Sequence, residues 1–365
     1  MLTQKRQNFY KKSLIWGWVG LLTLLVGCGT KEDKESVVAK KEQIFSQEVK
    51  QEEGNKELVK IHFIDTGNSD AILIQEGPQG VLIDGADNDD EKTLPNYIQS
   101  QGIEKLIYVV ATHPDADHIG GLDAVIQSIE VDHVLVSNGD AETKTYHDFI
   151  QALMDKGLSP SVPLVHSTFL FGKGSFEVLS AANEKDPNER SIVLLYTHGE
   201  DKVLLMGDAG QEIEKTIQCG KVDLIKLGHH GSSSSSHRDF LQQVAPEAAV
   251  LTVGRGNKYG HPHRETMETL EQLQIPVYRT DEGGTLLFES TGKGIRPLQE
   301  VNSYLSGSEG VSQKEEVMPQ SKSDRVFFTK KGSKYHKMAT CSNMKSPIKG
   351  TIEEVGKREA CQICF

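Results

Sequence analysis

The hydrophobic pattern changes character several times along the 365 residues. After a basic stretch ending at Lys12, an apolar run extends from Leu14 to Val26. It is too short for a comfortable membrane span, so residues 1–27 read as an export signal. Residues 28–57 are rich in Gln, Glu and Lys and nearly free of aromatics. They bury too little apolar surface to order themselves, and a disordered tether is expected there. From Leu58 short β-like runs take over, KIHFID at 60–65, DAILIQ at 70–75 and GVLIDG at 80–85, separated by Gly/Asn/Asp turns. An amphipathic helix at 91–101 leads into the apolar strand Leu106–Ala111, followed by a charged loop, a helix near 122–129 and a strand at 133–137. Further strands are predicted at 175–181, 191–197, 202–208, 222–228 and 248–254, and helices at 145–156, 210–218, 237–243 and 264–273. Antiparallel runs followed by strands mixed with helices predict an α/β domain over 58–298, with two sheets packed together under helices. The polar stretch 299–322 reads as a linker, and 323–365 as a small separate module.

Charge sharpens these boundaries. Residues 1–27 carry four basic side chains and no acidic one, whereas 58–298 carry 19 basic against 36 acidic, a net of −17. Residues 321–365 reverse the sign, with ten basic against four acidic. Such an acidic domain should repel a polyanion except where cations gather.

The candidate chemistry starts in the loop after Ala111. Thr112-His113-Pro114-Asp115-Ala116-Asp117-His118-Ile119-Gly120-Gly121 places two imidazoles and two carboxylates within six residues, between a strand and a helix. That density of nitrogen and oxygen ligands suits one or two divalent cations, and capping of a helix explains an aspartate but neither histidine. The loop resembles the HxHxDH signature of metallo-β-lactamase-fold hydrolases, with Asp115 in place of the second histidine. The HxDxDH form followed by IGGL is similar to the extracytoplasmic hydrolase domain of the DNA-uptake protein ComEC, a likeness covering about 58–289. The resemblance implies a four-layer αββα sandwich and a metal-dependent hydrolase.

Later segments fit the same resemblance in order. KVLLMGDA puts Asp208 where the fold's bridging carboxylate sits, and KLGHHGS puts His229 and His230 at another strand end. One of the two histidines would ligate the second metal while the other orients it or meets substrate; His230 is slightly favoured. Asn188 to Ser191 resembles the family's Asn-x-x-Ser, and Gly260 to His263 its GHP segment, so that His261 would hold a phosphate oxygen or protonate the leaving group. A plain turn role is equally open for these residues. Asp65, Asp70 and Asp84 bound strands as the family's do, although DTGNSDA replaces the usual GQGD-type turn. The serine run containing Ser232 and Ser233 offers hydroxyls and backbone N–H groups to an anion, or serves only as a connection. The superfamily's third histidine of the first metal site has no clear counterpart; His166 and His198 are candidates by position only. With Asp115 a carboxylate, the site is harder than usual and suits manganese as well as zinc.

Under the resemblance the chemistry is attack by a metal-held water, with Asp117 and His261 in catalytic roles, on a phosphodiester such as external DNA. Two alternatives stand beside it: a teichoic-acid phosphodiesterase of the phosphorylcholine esterase type, and a non-catalytic DNA-binding surface protein.

The ends of the chain carry their own signals. Leu25-Val26-Gly27-Cys28 looks like a bacterial lipobox, which implies acylation of Cys28 and anchoring to the outer face of the cell membrane. His336, Cys341, Cys361 and Cys364 form a four-ligand set suited to structural zinc, resembling the small module of Ada, with a disulfide pair as the alternative in an oxidising compartment. So short a module needs a staple of some kind. Cys219 has no evident partner and reads as a buried thiol.

Overall fold

The computed structural model describes residues 58–308, 325–330, 333–336, 348–351 and 359–360. The expected signal peptide, Cys28, the tether and the three cysteines of the C-terminal set lie outside the described residues. In chain order the strands are β1 (Val59–Phe63), β2 (Ile72–Glu76), β3 (Gln79–Ile83), β4 (Lys105–Ala111), β5 (Glu130–Val136), β6 (Thr168–Phe171), β7 (Gly174–Ser180), β8 (Val193–His198) and β9 (Asp201–Leu205). They continue with β10 (Leu224–Lys226), β11 (Ala248–Leu251), β12 (Val277–Arg279), β13 (Leu286–Ser290), β14 (Ile295–Pro297), β15 (Arg325–Phe328), β16 (Lys334–His336), β17 (Ile348–Thr351) and β18 (Glu359–Ala360).

Two seven-stranded sheets result, ordered β14-β13-β1-β2-β3-β4-β5 and β12-β11-β10-β9-β8-β7-β6. Each joins an antiparallel part to a parallel part: β3, β4 and β5 run parallel in the first sheet, and β9 to β12 in the second. The facing surfaces interlock through Phe63, Ile74 and Phe288 of one sheet and Phe176, Tyr196 and Leu205 of the other, all essentially dry. The remaining faces are closed by helices. Helices Thr93–Ser100, Leu122–Ser128 and Lys144–Lys156 cover the first sheet around Leu82, Leu106 and Phe149, and Arg238–Val244 and Arg264–Gln272 cover the second around Leu204, Ile225 and Leu270. This is a four-layer αββα sandwich.

Local chemistry fixes the joints. Helix Lys144–Lys156 starts because the Thr143 hydroxyl accepts the Tyr146 N–H at 3.2 Å, and ends at Gly157, whose φ of 67° is open to glycine without a Cβ penalty. Strands β6 and β12 to β14 were not expected from the hydrophobic pattern, because three- to five-residue runs carry little periodicity. The helix expected over 210–218 is one turn, Gln211–Glu214. The Glu214 carboxylate instead accepts the N–H groups of Ser236 and His237, the latter at 3.2 Å, and so holds the following loop.

The expected linker also begins later than Gln299. Buried Arg279 donates to the carbonyls of Ser303 and Leu305, Asn302 N–H donates to Val277 O at 2.8 Å, and Gly307 N–H donates to Pro262 O at 2.8 Å. At Gly307 a Cβ would sit 2.0 Å from His261 O, so this close approach requires glycine. Residues 299–308 therefore complete the domain rather than leave it.

The four C-terminal strands form a small sheet, β17-β15-β16-β18, with Val326, Phe328 and Tyr335 buried. His336 ends β16 and is buried. Among the described residues no helix is long and apolar enough to cross a membrane.

Candidate metal centre

Polar residues collect at one edge of the sandwich, where β3, β4, β9, β10 and β11 end at their carboxyl termini. In sheets of mixed order this is the edge at which loops can converge around a ligand. Asp84 follows β3, residues 112–118 follow β4, Asp208 follows β9, Lys226 to His230 end and follow β10, and Thr252 follows β11. Asp70 precedes β2, which runs antiparallel to β3.

The hydrogen bonds determine which ring nitrogen of each histidine faces inward. His230 Nδ1 lies 2.8 Å from Thr252 O, a carbonyl that only accepts, so Nδ1 carries a proton and Nε2 is the nitrogen turned to the cluster. His118 Nδ1 lies 2.7 Å from the Asp84 carboxylate, with the same consequence. Thr112 donates its hydroxyl to Asp84 at 2.7 Å and therefore accepts from His113 Nδ1 at 3.1 Å, which turns the third imidazole the same way. Ser191 Oγ lies 3.4 Å from the same Nδ1 and accepts the Asp208 N–H at 3.0 Å. The three Nε2 atoms and Asp208 Oδ1 are buried and have no hydrogen-bond partner.

These atoms point at one another. His118 Nε2 is 3.3 Å from Asp208 Oδ1, His230 Nε2 is 3.5 Å from an Asp117 oxygen and 3.7 Å from Asp208 Oδ2, and His113 Nε2 is 4.0 Å from Asp208 Oδ2. Two overlapping groups result, His113 with His118 and Asp208, and Asp117 with His118 and His230, each within 4.8 Å. A tetrahedral ion with ligand bonds of about 2.0–2.2 Å has ligand–ligand edges of about 3.3–3.6 Å, so a divalent cation fits the donor set in spacing and in chemistry. A third group, Asp70, Asp84 and His118, is less open to a cation. Asp84 is already bonded to Thr112 and His118, and Asp70 to Lys226 and Thr252.

Electrostatics point the same way. Burial holds His113 well below the usual imidazole range, with neighbouring His118 adding to it. Burial also works against charge on His118, but Asp208 and Asp84 outweigh it and hold that ring well above the usual range. His230 is likewise raised against its burial, by Asp208 and Asp117. Asp208 lies well below the usual carboxylate range despite burial, because His118 and His230 face it. Carboxylates in a dry site thus recruit protons onto imidazoles in the absence of another cation. Backbone strain is stored here as well: Asp84, Ala86, His229 and His230 all have φ between 48° and 61°.

Lys226 escaped the sequence reading. It is fully buried at the end of β10, its ammonium paired with Asp70, donating to Gly207 O at 3.0 Å and lying 3.9 Å from Asp208 Oδ1. The one available signal was a lone cation in the otherwise apolar run LIKLG. Thr252, which orients His230 through its carbonyl and Asp70 through its hydroxyl, carried no signal.

Other expected site residues fall as follows. Asp115 is the most open member, its side chain 45% exposed and one oxygen 3.9 Å from His113 Nε2. His229 borders the mouth, partly exposed, with Nε2 3.7 Å from Asp208 and Nδ1 3.3 Å from Ser234 Oγ. His261 is buried, its ring 5.5 Å from that of His229 and 6.2 Å from that of His230. Burial, with help from the surrounding histidines, pushes His261 down to about 3, so it is a neutral ring near neutrality and no ready proton donor to a leaving group.

Several expectations change. Ser191 is fully buried behind His113 and Asp208, with no surface open to solvent, and its hydroxyl accepts the Asp208 N–H. Asn188 opens a short turn and accepts the Ser191 N–H. The serine loop keeps its N–H groups for itself and its neighbours: Ser232 donates to His229 O, Ser233 to His263 Nδ1, Ser234 to Ser232 Oγ, Ser235 to Ser232 O and Ser236 to Glu214. It is therefore no backbone cradle for an anion, and Ser232 and Ser233 retain only their hydroxyls for such a role. Neither His166, exposed beside Glu177, nor His198, bonded to Ser290, joins the site.

The chain matches the metallo-beta-lactamase superfamily over residues 64–255. It is 30% identical over 204 residues to ComE operon protein 3 of Bacillus subtilis, covering 54% of this chain and 26% of that protein. It is also 30% identical over 236 residues to Recombination protein 2 of Haemophilus influenzae, covering 60% of this chain and 27% of that protein. The chain thus spans about a quarter of the length of these relatives. Among solved structures, the metallo-beta-lactamase fold protein YhfI of Bacillus subtilis aligns with a TM-score of 0.45 at 13% identity, covering 64% of this chain and all of that one.

Proposed function

Because the chain belongs to the metallo-beta-lactamase superfamily, we propose that it is a divalent-metal-dependent phosphodiesterase that cleaves DNA outside the cytoplasm. Three imidazole Nε2 atoms and Asp208 Oδ1, meeting in a buried cluster without hydrogen-bond partners, support this reading most strongly. His113, His118, His230, Asp117 and Asp208 are the ligands in this reading, with Asp115 on the open side and His229 at the mouth. Bound there, one or two cations, zinc or manganese, supply Lewis acidity that acidifies water and neutralises charge on a phosphoryl oxygen. Thr112, Asp84, Thr252 and Ser191 hold the ligands in the productive tautomer and orientation. Neutral His261 donates a hydrogen bond to a non-bridging phosphate oxygen. DNA is favoured as substrate because one relative's name ties it to recombination.

Anchoring through acylated Cys28 places this activity on the outer face of the membrane. The basic C-terminal module, stapled by zinc on His336, Cys341, Cys361 and Cys364, supplies the phosphate attraction that a domain with 36 acidic side chains against 19 basic ones lacks.

Digestion of single- and double-stranded DNA with manganese or zinc, comparing wild type with Asp117→Ala, tests the reading. Wild type should cleave, and the variant should lose on the order of 10²-fold or more, as expected for several kcal/mol of transition-state stabilisation. Metal-loaded wild type that degrades neither form overturns it.

A further inference from the structure

The segment from Val253 to Arg264 leads from β11 into the helix Arg264–Gln272 and is locally basic. It carries Arg255, Lys258 and Arg264 and no acidic residue, on a domain where acids outnumber bases by 36 to 19. It is also rigidly built. Asn257 donates from its amide to Gly254 O at 2.9 Å and His261 O at 2.7 Å, and its Oδ1 accepts the N–H groups of Tyr259 and His261 at 3.1 and 3.0 Å. Arg255 is fixed by the carbonyl of Asp281.

At its tip stands Tyr259, 54% exposed, the one aromatic among the exposed large apolar side chains of the described residues. The exposed part of that ring offers an apolar surface to a ligand. The ring lies 5.6 Å from the His261 ring at an interplanar angle of 23°, and the His261 ring lies 6.2 Å from that of His230 at 26°. The rings of Tyr259, His261 and His230 thus form a chain from the surface to the ligand cluster, successive rings being tilted by 23° and 26°. The Lys258 ammonium lies over the Tyr259 ring, 4.8 Å from its centroid, so a cation shares the exposed platform.

We propose that Tyr259 and Lys258 form a nucleobase-stacking subsite that binds the nucleotide flanking the scissile phosphodiester of a single-stranded polynucleotide. The proposal rests on the phosphodiesterase reading for what happens at the cluster, but not for the binding itself. Every base offers a π-face to an aromatic ring, so the subsite is indifferent to sequence. In a duplex both faces of each base are covered by neighbours, so the subsite favours unpaired strands. Lys258 adds a phosphate contact that weakens with salt.

Fluorescence anisotropy on the full chain carrying Asp117→Ala, in manganese, tests this without turnover. The probes are a labelled thymidine oligomer and an abasic oligomer of the same length. Adding Tyr259→Ala should weaken binding of the thymidine oligomer about tenfold and leave the abasic oligomer unchanged, while Tyr259→Trp retains affinity. Lys258→Ala should weaken both and reduce the salt slope by about 0.7. Equal loss on both oligomers, no loss on either, or a parent protein that binds no single strand overturns the proposal. Tyr259-dependent binding by a protein that never cleaves would instead sink the phosphodiesterase reading alone.

Discussion

The two sheets contribute to the candidate centre in different ways. The first delivers His113, Asp115, Asp117 and His118 from one loop and orients its imidazoles through a single buried carboxylate, Asp84, directly at His118 and by way of Thr112 at His113. The second delivers Asp208, His230 and His261 from three separate loops and holds the first two with a buried cation, Lys226, and a carbonyl, Thr252 O. Its strained His229–His230 pair is fixed by backbone bonds to Gly207 and Ser232. One half is therefore a contiguous motif organised by one anion, the other a distributed set organised around one cation. Lys226 and Asp70 tie them together, since Asp70 belongs to the first sheet and its partner to the second.

The largest effect is expected where that tie is cut. Lys226→Met leaves Asp70 buried without its ion partner and should cost about 3–5 kcal/mol of stability, read from urea unfolding in chelator. Replacing Lys226 and Asp70 together by apolar residues should recover much of the loss. A cost below about 1 kcal/mol would mean that the second half is not organised around a cation.

A smaller effect separates the orienting groups of the first half. Asp84→Asn weakens the acceptor for both Thr112 and His118, and should lower metal affinity about 10- to 100-fold in titration calorimetry. Asp115→Ala, half exposed at the rim, should change it less than Asp84→Asn does. The reverse order would make the rim, rather than the buried network, the organising element.

The same contrast explains what was legible in the sequence. Chemistry packed into six consecutive residues is visible without a structure, whereas Asp208 and the His229–His230 pair were singled out by resemblance to the family's later segments. Lys226 was hidden, since a single charge inside a buried strand looks like an edge position until Asp70, 156 positions away in the chain, is seen to meet it. The serine loop misled for the opposite reason: its composition suggests an anion site, but its N–H groups are consumed by His229, Ser232, His263 and Glu214. Residues 299–308 read as linker by composition, and their bonds to Arg279, Val277 and Pro262 make them part of the domain. For Lys226 and residues 299–308 the deciding partners lie elsewhere in the chain, whereas the serine loop is closed partly by its own residues and neighbours.

Elemental analysis of the full chain, purified without chelator and with Cys341, Cys361 and Cys364 replaced by serine, bears most directly on the buried imidazole–carboxylate cluster. One or two equivalents of a divalent metal per chain are predicted, lost when His118 is replaced by alanine. A well-folded protein containing no stoichiometric metal would contradict the account.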